Sequence, residues 1–199
     1  MRAGGAKPLP WKGFGKLRSR RSIRHNGKSL EKILEAHMKF MRGLADGVRA
    51  DLHEADLVMA DLQGAVLDHA DLRGARLAGA DLRRARLSSA DLSKADLHGA
   101  DLRNADMTEA VLAGADLTEA QLGGIEFFRA DLSGAKLCRA NLRAANLRDA
   151  KVRGADFQGA DLTTTILRET DLTGVDLSGT DLTNALLPES WTKPVGGTQ

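Results

Sequence analysis

A chain of 199 residues with 42% hydrophobic but only 4% aromatic residues, and no tyrosine, suits one domain with a thin aliphatic core. Its net charge of +2 hides an asymmetry, because residues 1–49 carry a net charge of +10 and residues 50–189 a net charge of −9. The sequence has no run of 18 apolar residues for a transmembrane helix and no apolar signal-peptide core, and its one cysteine, Cys138, excludes an internal disulfide framework. We therefore expect a reducing, cytoplasmic setting.

The first 28 residues are strongly basic. They contain nine Lys or Arg residues and no acidic residue, with Gly, Pro and Ser between them. Because no hydrophobic period is present, we expect residues 1–28 to form a disordered arm. Aromatic residues among these charges could stack on nucleic-acid bases or lie at an anionic membrane surface, and the composition also suits a transit peptide or a solvated tail. The candidate binding residues of this basic arm are Trp11, Lys16, Arg18, Arg20, Arg21 and Arg24.

Residues 29–47 have the pattern of an amphipathic capping helix. Ser29 is a suitable N-cap, Gly43 can end the helix, and Glu35 and Lys39 form an i,i+4 pair on the polar side. We expect the apolar face to cover the open first coil of the repeats that follow, since unpaired strand edges invite aggregation. A partner-binding helix is the alternative. The apolar face contains Leu30, Ile33, Leu34, His37, Met38, Phe40, Met41 and Leu44.

From residue 50 to residue 189 the sequence repeats every five residues without a break. Of the 28 pentads, 23 begin with Ala, 24 have Leu at the third position, and 18 have Asp or Asn at the second. The first and third positions point the same way in an extended segment, so Ala and Leu should face inward while the last two residues turn the chain. The short side chain at the second position can accept a hydrogen bond from the backbone N–H two residues later. The predicted core ladder includes Leu52, Leu72, Leu92, Leu102 and Leu132.

These A(D/N)LXX pentads resemble the pentapeptide-repeat family over about 70% of the chain. The resemblance implies an all-β solenoid, a right-handed quadrilateral β-helix with four pentads per coil and about seven coils. Its repeats would occupy residues 48–189, behind an N-terminal α-helical cap, with residues 190–199 as a C-terminal cap or tail.

The repeat departs from its consensus towards the C-terminus. In the pentad Ile125–Arg129, Phe127 is expected in the core, whereas Phe128 should point outward as a candidate contact or else lie under neighbouring side chains. Trp191 is expected to plug the last coil, and self-association of this end as a two-fold homodimer is the further alternative. Apart from Ile125, the inward Ala is replaced at Thr165, Thr170, Val175 and Thr180.

The sequence contains no catalytic or zinc-binding motif that we recognise. Stacked aspartates such as Asp51 and Asp71 could hold a cation, but their oxygens are expected to be occupied by backbone N–H groups. We therefore predict no cofactor, no metal, and no enzymatic activity.

Two functions are compatible with these features. The first is a rigid scaffold for an unidentified protein partner, with the basic arm for an anionic partner, either nucleic acid or a membrane surface. The second follows from the resemblance, because some members of the family imitate duplex DNA and bind DNA gyrase, inhibiting it or protecting it from quinolones. A basic belt over the second coil argues against such mimicry; it consists of Arg73, Arg76, Arg83, Arg84 and Arg86.

Overall fold

The computed structural model describes residues 15–191 of the chain. Strands β1 (Arg24–His25) and β2 (Lys28–Ser29) form a small antiparallel hairpin that leads directly into helix α1 (Leu30–Met41). The two turn residues of the hairpin, Asn26 and Gly27, both have positive φ, as a two-residue type I′ turn requires. The Asn-Gly pair was the available sequence signal for this hairpin.

The pentads form a four-sided β-helix. Isolated parallel bridges join second-position residues 20 apart, so that Asp51 pairs with Asp71 and Asp71 with Asp91. The Leu52 N–H donates to the Asp71 carbonyl at 2.7 Å, and the Asp71 N–H donates to the Ala50 carbonyl at 3.0 Å. Because four pentads separate bonded neighbours, each pentad is one side of a coil and stacks on the pentad one coil earlier.

Every corner is a tight turn between consecutive pentads. In the first pentad the Ala55 N–H donates to the Leu52 carbonyl at 3.0 Å, and the residue before Ala55, Glu54, has φ +55°. Positive φ at this place defines a type II turn, which favours glycine. The fifth position has positive φ in 27 of the 28 pentads, but it is Gly in only 11 of them. The rod therefore carries distributed backbone strain at 16 non-glycine corners.

The core is a stack of leucines lined by alanines. All five residues of the predicted core ladder are fully buried, and the largest buried side chains are Phe127 and Phe157. The irregular pentad at Ile125 keeps the register, because its second residue, Glu126, bridges to Asp106 and Asn146. Inward Leu and Ala thus form one continuous hydrophobic cluster along the rod.

The structure differs from the expected disorder over residues 15–28. The Arg18 N–H donates to the Met59 carbonyl at 2.7 Å, the Asp61 N–H donates to the Arg18 carbonyl at 3.0 Å, and Ile23 is 1% exposed. This segment therefore lies where a preceding coil would lie and satisfies backbone groups that the first coil would otherwise expose. The low hydrophobicity of the segment gave no sign of this order, because polar contacts and backbone pairing, with one buried apolar side chain, hold the segment in place.

Helix α1 begins as expected, with the Ser29 side chain accepting from the Lys32 N–H at 3.4 Å, but it ends at Met41, with Gly43 at φ +68°. Its buried face is narrower than predicted and consists of Leu30, Ile33, Leu34 and His37. Lys39 pairs with Asp46 beyond the helix rather than with Glu35, because the chain folds back after Gly43.

The last coil, residues 170–189, is attached less regularly than the others. Among the described pentads, Asp171 is the only second-position residue without a bridge. The inward residues Leu177 and Leu182 are only partly buried, whereas those of the earlier coils are buried almost completely. Where this coil begins, the hydroxyls of Thr165 and Thr170 donate to the carbonyls of Leu142 and Leu147 in the preceding coils.

Candidate interaction surfaces

The acidic side chains of the rod are engaged in its own turns. At every one of the 18 pentads with Asp or Asn at the second position, a side-chain oxygen accepts from the backbone N–H two residues later. The expected turn bond is therefore present throughout. Among the described residues, no group of His, Cys, Asp and Glu side chains is arranged to hold a metal ion. One oxygen of each of these side chains therefore supports the fold of its own turn.

In the three pentads that begin with the sequence ADLR, the aspartate carboxylate is also buried. In the first, Arg73 donates to both oxygens of Asp71, from Nε at 2.9 Å and from Nη2 at 2.5 Å. The Arg73 guanidinium lowers the pKa of Asp71 to about 2. Asp81 is 1% exposed, and although burial acts to raise its pKa, hydrogen bonds from Arg83 lower it. These charge-assisted bonds were missed at the sequence level, yet Asp and Arg two residues apart in a pentad are a usable signal.

The basic belt of the second coil is largely neutralised by its neighbours. Arg76 lies 3.8 Å from Asp56, and Arg86 lies 2.8 Å from Asp68, which is only 2% exposed. Arg84 at the corner is exposed. The positive charge of this belt is therefore largely paired with neighbouring carboxylates and remains local.

Two arginines of the predicted basic arm hold residues 15–28 against the rod. Arg18 pairs with Asp56 at 3.1 Å, and Arg20 donates to the backbone carbonyls of Asp61 and Gln63 at 2.8 and 2.6 Å. A third, Arg21, pairs with Glu31 at 2.9 Å. Lys16 and Arg24 are exposed, and Trp11 lies outside the described residues.

His37 joins α1 to the first coil. Its side chain is fully buried, and its Nδ1 accepts from the Ala50 N–H at 3.0 Å. An imidazole that accepts at Nδ1 is neutral and carries its proton on Nε2. Burial lowers the pKa of His37, which keeps this acceptor available. The sequence placed His37 on the apolar face but gave no indication of this bond, which depends on how the chain returns from α1 to Ala50.

The surface of α1 has a shallow depression and several exposed apolar side chains. The depression has a volume of about 440 Å³ and is lined in part by Leu34, Met38 and Arg20. Met38 and Met41 are only half-buried. Phe40 and Leu44 are 40% and 49% exposed, so the broad apolar face expected from the sequence is partly turned to solvent.

Phe128 lies half-buried on the side of the rod. The guanidinium carbon of Arg129 is 4.8 Å from the centre of its ring, and that of Arg148 is 5.6 Å away. Both arginines are also paired, with Asp149 and Glu169 respectively, at 3.0 Å. The covered alternative therefore describes Phe128 better than a free aromatic contact.

At the C-terminal end, Trp191 packs against the core cluster and remains partly exposed. A depression of about 690 Å³ lies beside it, lined in part by Thr170, Asp171 and Leu187. Leu186 is 44% exposed. This end thus combines the unpaired segment at Asp171 with accessible apolar surface.

The thiol of Cys138 is half-buried and donates to an Asp156 carboxylate oxygen at 2.9 Å. Burial, together with this acidic neighbour, raises the pKa of Cys138. The thiol is therefore poorly suited to act as a nucleophile.

Among residues 15–191, no helix has the length and apolar character that a membrane span requires.

The geometry and the repeat pattern now identify the family. The model of pentapeptide repeats matches eight copies in overlapping segments between residues 48 and 187. The chain belongs to the pentapeptide-repeat family. No match was found among curated proteins.

Solved pentapeptide-repeat structures resemble this member of the family. A trypsin-treated form of QnrB1, a plasmid-mediated fluoroquinolone resistance protein, is 25% identical over 70% of each chain, with a TM-score of 0.51. HetL, involved in heterocyst differentiation regulation in the cyanobacterium Nostoc sp. strain PCC 7120, is 30% identical over 76% of this chain and 90% of its own, with a TM-score of 0.48. A protein from the Arabidopsis thaliana thylakoid lumen is 37% identical over 48% of this chain and 66% of its own, with a TM-score of 0.34.

Proposed function

We propose that this pentapeptide-repeat protein is a non-enzymatic scaffold that binds a protein partner through the sides of its rod. The proposal includes a right-handed β-helix of about seven coils, closed at its N-terminal end by α1, working in the cytoplasm without a cofactor. Its basic N-terminal region binds an anionic partner, and two copies form a homodimer through the C-terminal end.

The observation that carries this proposal is the occupation of all 18 second-position side chains by turn N–H groups. Catalysis needs positioned groups in a cleft that excludes water. The two depressions described above are open, and the buried charges at Asp71 and Asp81 are paired within their own pentads. A rigid, regular surface of this kind supports recognition over a broad area.

The scaffold function is tested by capturing partners with the full chain from its own cells. The variants Arg143→Glu and Arg153→Glu place the same charge reversal on two different sides of the rod, at exposed positions. A partner that recognises one side should bind at least ~10-fold more weakly to one variant than to the other, because one unfavourable charge contact costs on the order of 1–2 kcal/mol. Equal retention on both variants and on the wild type would contradict recognition of a side of the rod.

The homodimer is supported by the less regular last coil, which leaves Asp171 unbridged and exposes Leu186. Burying this end against a second copy would pair the open strand segments and cover the half-buried leucines. Sedimentation of the wild type and of Leu186→Glu should give a dimer and a monomer respectively. A monomeric wild type at high concentration would rule the dimer out.

A DNA-mimicking, gyrase-binding protein is the second candidate, favoured by the likeness to QnrB1. The internally paired arginines of the second coil weaken it, because they interrupt the run of negative charge that duplex DNA presents. A gyrase supercoiling assay with and without a fluoroquinolone decides between the two. Inhibition or drug protection at micromolar protein would favour the gyrase-binding candidate, and no effect at high excess would exclude it.

A further inference from the structure

Exposed apolar side chains are concentrated at the N-terminal end of the rod. Of the four large hydrophobic side chains that are exposed among the described residues, three lie within nine consecutive positions. Phe40 is 40% exposed, Leu44 is 49% exposed and Val48 is 57% exposed. We refer to these three residues as the apolar tip. Single exposed hydrophobic residues are ordinary, but a cluster of them indicates a contact surface.

The backbone holds the apolar tip together. The chain leaves α1, turns, and returns so that the Val48 N–H donates to the Ala36 carbonyl at 3.0 Å. Gly47 lies directly on the backbone of Phe40, where a Cβ would come within 2.2 Å of the Phe40 nitrogen. The Phe40 ring stacks on His37 with a centroid distance of 5.8 Å. The tip is therefore a fixed part of the folded end.

The segment that carries this tip is rich in positive charge. Residues 15–49 contain ten Lys or Arg residues and three acidic ones. Arg42 and Arg49 lie beside the tip in the sequence and are exposed, and the Arg49 side chain donates to the His69 carbonyl at 3.3 Å. Lys39 also lies there, and Asp46 is its partner. Apolar and cationic groups thus occur together at one end of the molecule, whereas the last coil, residues 170–189, has four acidic residues and no Lys or Arg.

We propose that the N-terminal end of the rod docks on an anionic lipid surface, with the apolar tip entering the boundary between headgroups and acyl chains. This deepens the proposed function, on which it rests, by naming a membrane as the anionic partner of the basic N-terminal region. Binding of this kind combines burial of apolar area with attraction between basic residues and anionic lipid, each cation contributing about 1 kcal/mol near the surface.

A lipid surface fits these residues better than nucleic acid does. Nucleic-acid binding without sequence preference uses aromatic faces for base stacking beside a cationic groove. Here the Phe40 ring already stacks on His37, and Leu44 and Val48 are aliphatic. Aliphatic side chains gain little beside phosphates, but they gain apolar contact in an acyl layer.

The test is co-sedimentation of the full chain with lipid vesicles. Vesicles of phosphatidylcholine with about one third phosphatidylglycerol supply the anionic surface, and pure phosphatidylcholine vesicles are the control. The wild type should bind the anionic vesicles and lose that binding as salt is raised. The variant F40S/L44S/V48S should bind at least ~10-fold more weakly, because it retains the charges but loses the apolar contact.

The control is Val111→Ser, which removes a partly exposed apolar side chain from the middle of the rod. It should leave vesicle binding unchanged. Because the triple variant alters the capping region, a second variant, F40L/V48I, keeps the tip apolar and should bind like the wild type. Equal binding by the wild type and a folded F40S/L44S/V48S would overturn the proposal, as would equal binding of the wild type to both kinds of vesicle.

A parallel titration with duplex DNA distinguishes failure of the membrane proposal from failure of the broader proposal that the basic N-terminal region binds an anionic partner. Salt-sensitive DNA binding without vesicle binding would overturn the membrane surface and leave the anionic partner in place. Absence of binding to both probes at low salt would overturn both.

Discussion

The two ends of the rod have the same repeat but differ in how far their inward leucines are buried. At the N-terminal end, residues 15–28 hydrogen-bond to the first coil, α1 belongs to the same hydrophobic cluster, and Leu52 and Leu57 are fully buried. At the C-terminal end, Leu177 and Leu182 occupy the same inward positions and are only partly buried. The burial of an inward leucine therefore depends on its neighbours in the stack, and it is most complete where a pentad lies on both sides.

The largest expected effect comes from placing a charge on the axis. Leu102 lies in mid-rod and is fully buried. In Leu102→Asp, an unpaired carboxylate at this position should lower the free energy of unfolding by more than about 4 kcal/mol and prevent folding. Leu182→Asp in the last coil should fold, because that position reaches solvent. Circular dichroism and thermal melting of the two variants measure the contrast. Two equally stable, folded proteins would show that the inward register is wrong.

A smaller effect should follow from loosening the N-terminal closure. Ile23→Ala removes buried methyl groups from the segment that covers the first coil and should cost about 2–4 kcal/mol locally. Hydrogen exchange should accelerate in residues 50–69 and stay unchanged in mid-rod. The matched variant Leu187→Ala at the open end should cost less than Ile23→Ala, since Leu187 is only partly buried. Acceleration spread evenly along the rod would contradict a local closure.

Acidification should also act on the N-terminal end. His37 is neutral in the fold and its pKa is lowered by burial, so the unfolded state takes up its proton first as the pH falls. The stabilising contribution of the neutral ring is present above the unfolded pKa of about 6.5 and decreases as the pH drops below that value. The protection factors of residues 50–69, which correct for the intrinsic slowing of amide exchange at lower pH, should therefore fall between about pH 7 and pH 5.

The control for that pH dependence is His37→Asn, whose side-chain oxygen can replace the Nδ1 acceptor without titrating. It should remove most of the change between the two pH values, even though it costs some packing against Phe40. An undiminished pH dependence in His37→Asn would assign the effect to another group. A contribution from Asp71 belongs to a lower window, because its pKa of about 2 matters only as the pH falls below about 4.

The smallest predicted effect concerns the corners. Ala144 has φ +55° and its side chain is exposed, so Ala144→Gly should relieve strain and stabilise the rod by up to about 1 kcal/mol. The reverse change at an equivalent corner, Gly134→Ala, should destabilise it by a similar amount, since Gly134 has φ +66°. Thermal melting measures both. Stabilisation by Gly134→Ala would indicate that the turn type is wrong.

The sequence predicted the repeat region well because its period specifies local geometry. Inward Leu102, the turn bond at Asp51 and the unbroken register at Ile125 all follow from positions within five residues. The ends were harder, since their structure depends on what lies beside them in space. No repeating sequence pattern predicts the pairing of Arg18 with the first coil or the hydrogen bond from Ala50 to His37. The exposure of Phe40 likewise depends on the return path of the chain after α1.

Hydrogen exchange followed by mass spectrometry on the full chain compares the two ends most directly. We expect slow exchange in residues 50–69, where Leu52 and Ala60 are buried beneath the N-terminal segment and α1, and fast exchange in residues 170–187. Fast exchange in residues 50–69, matching or exceeding that of the last coil, would contradict a closed N-terminal end and an open C-terminal one.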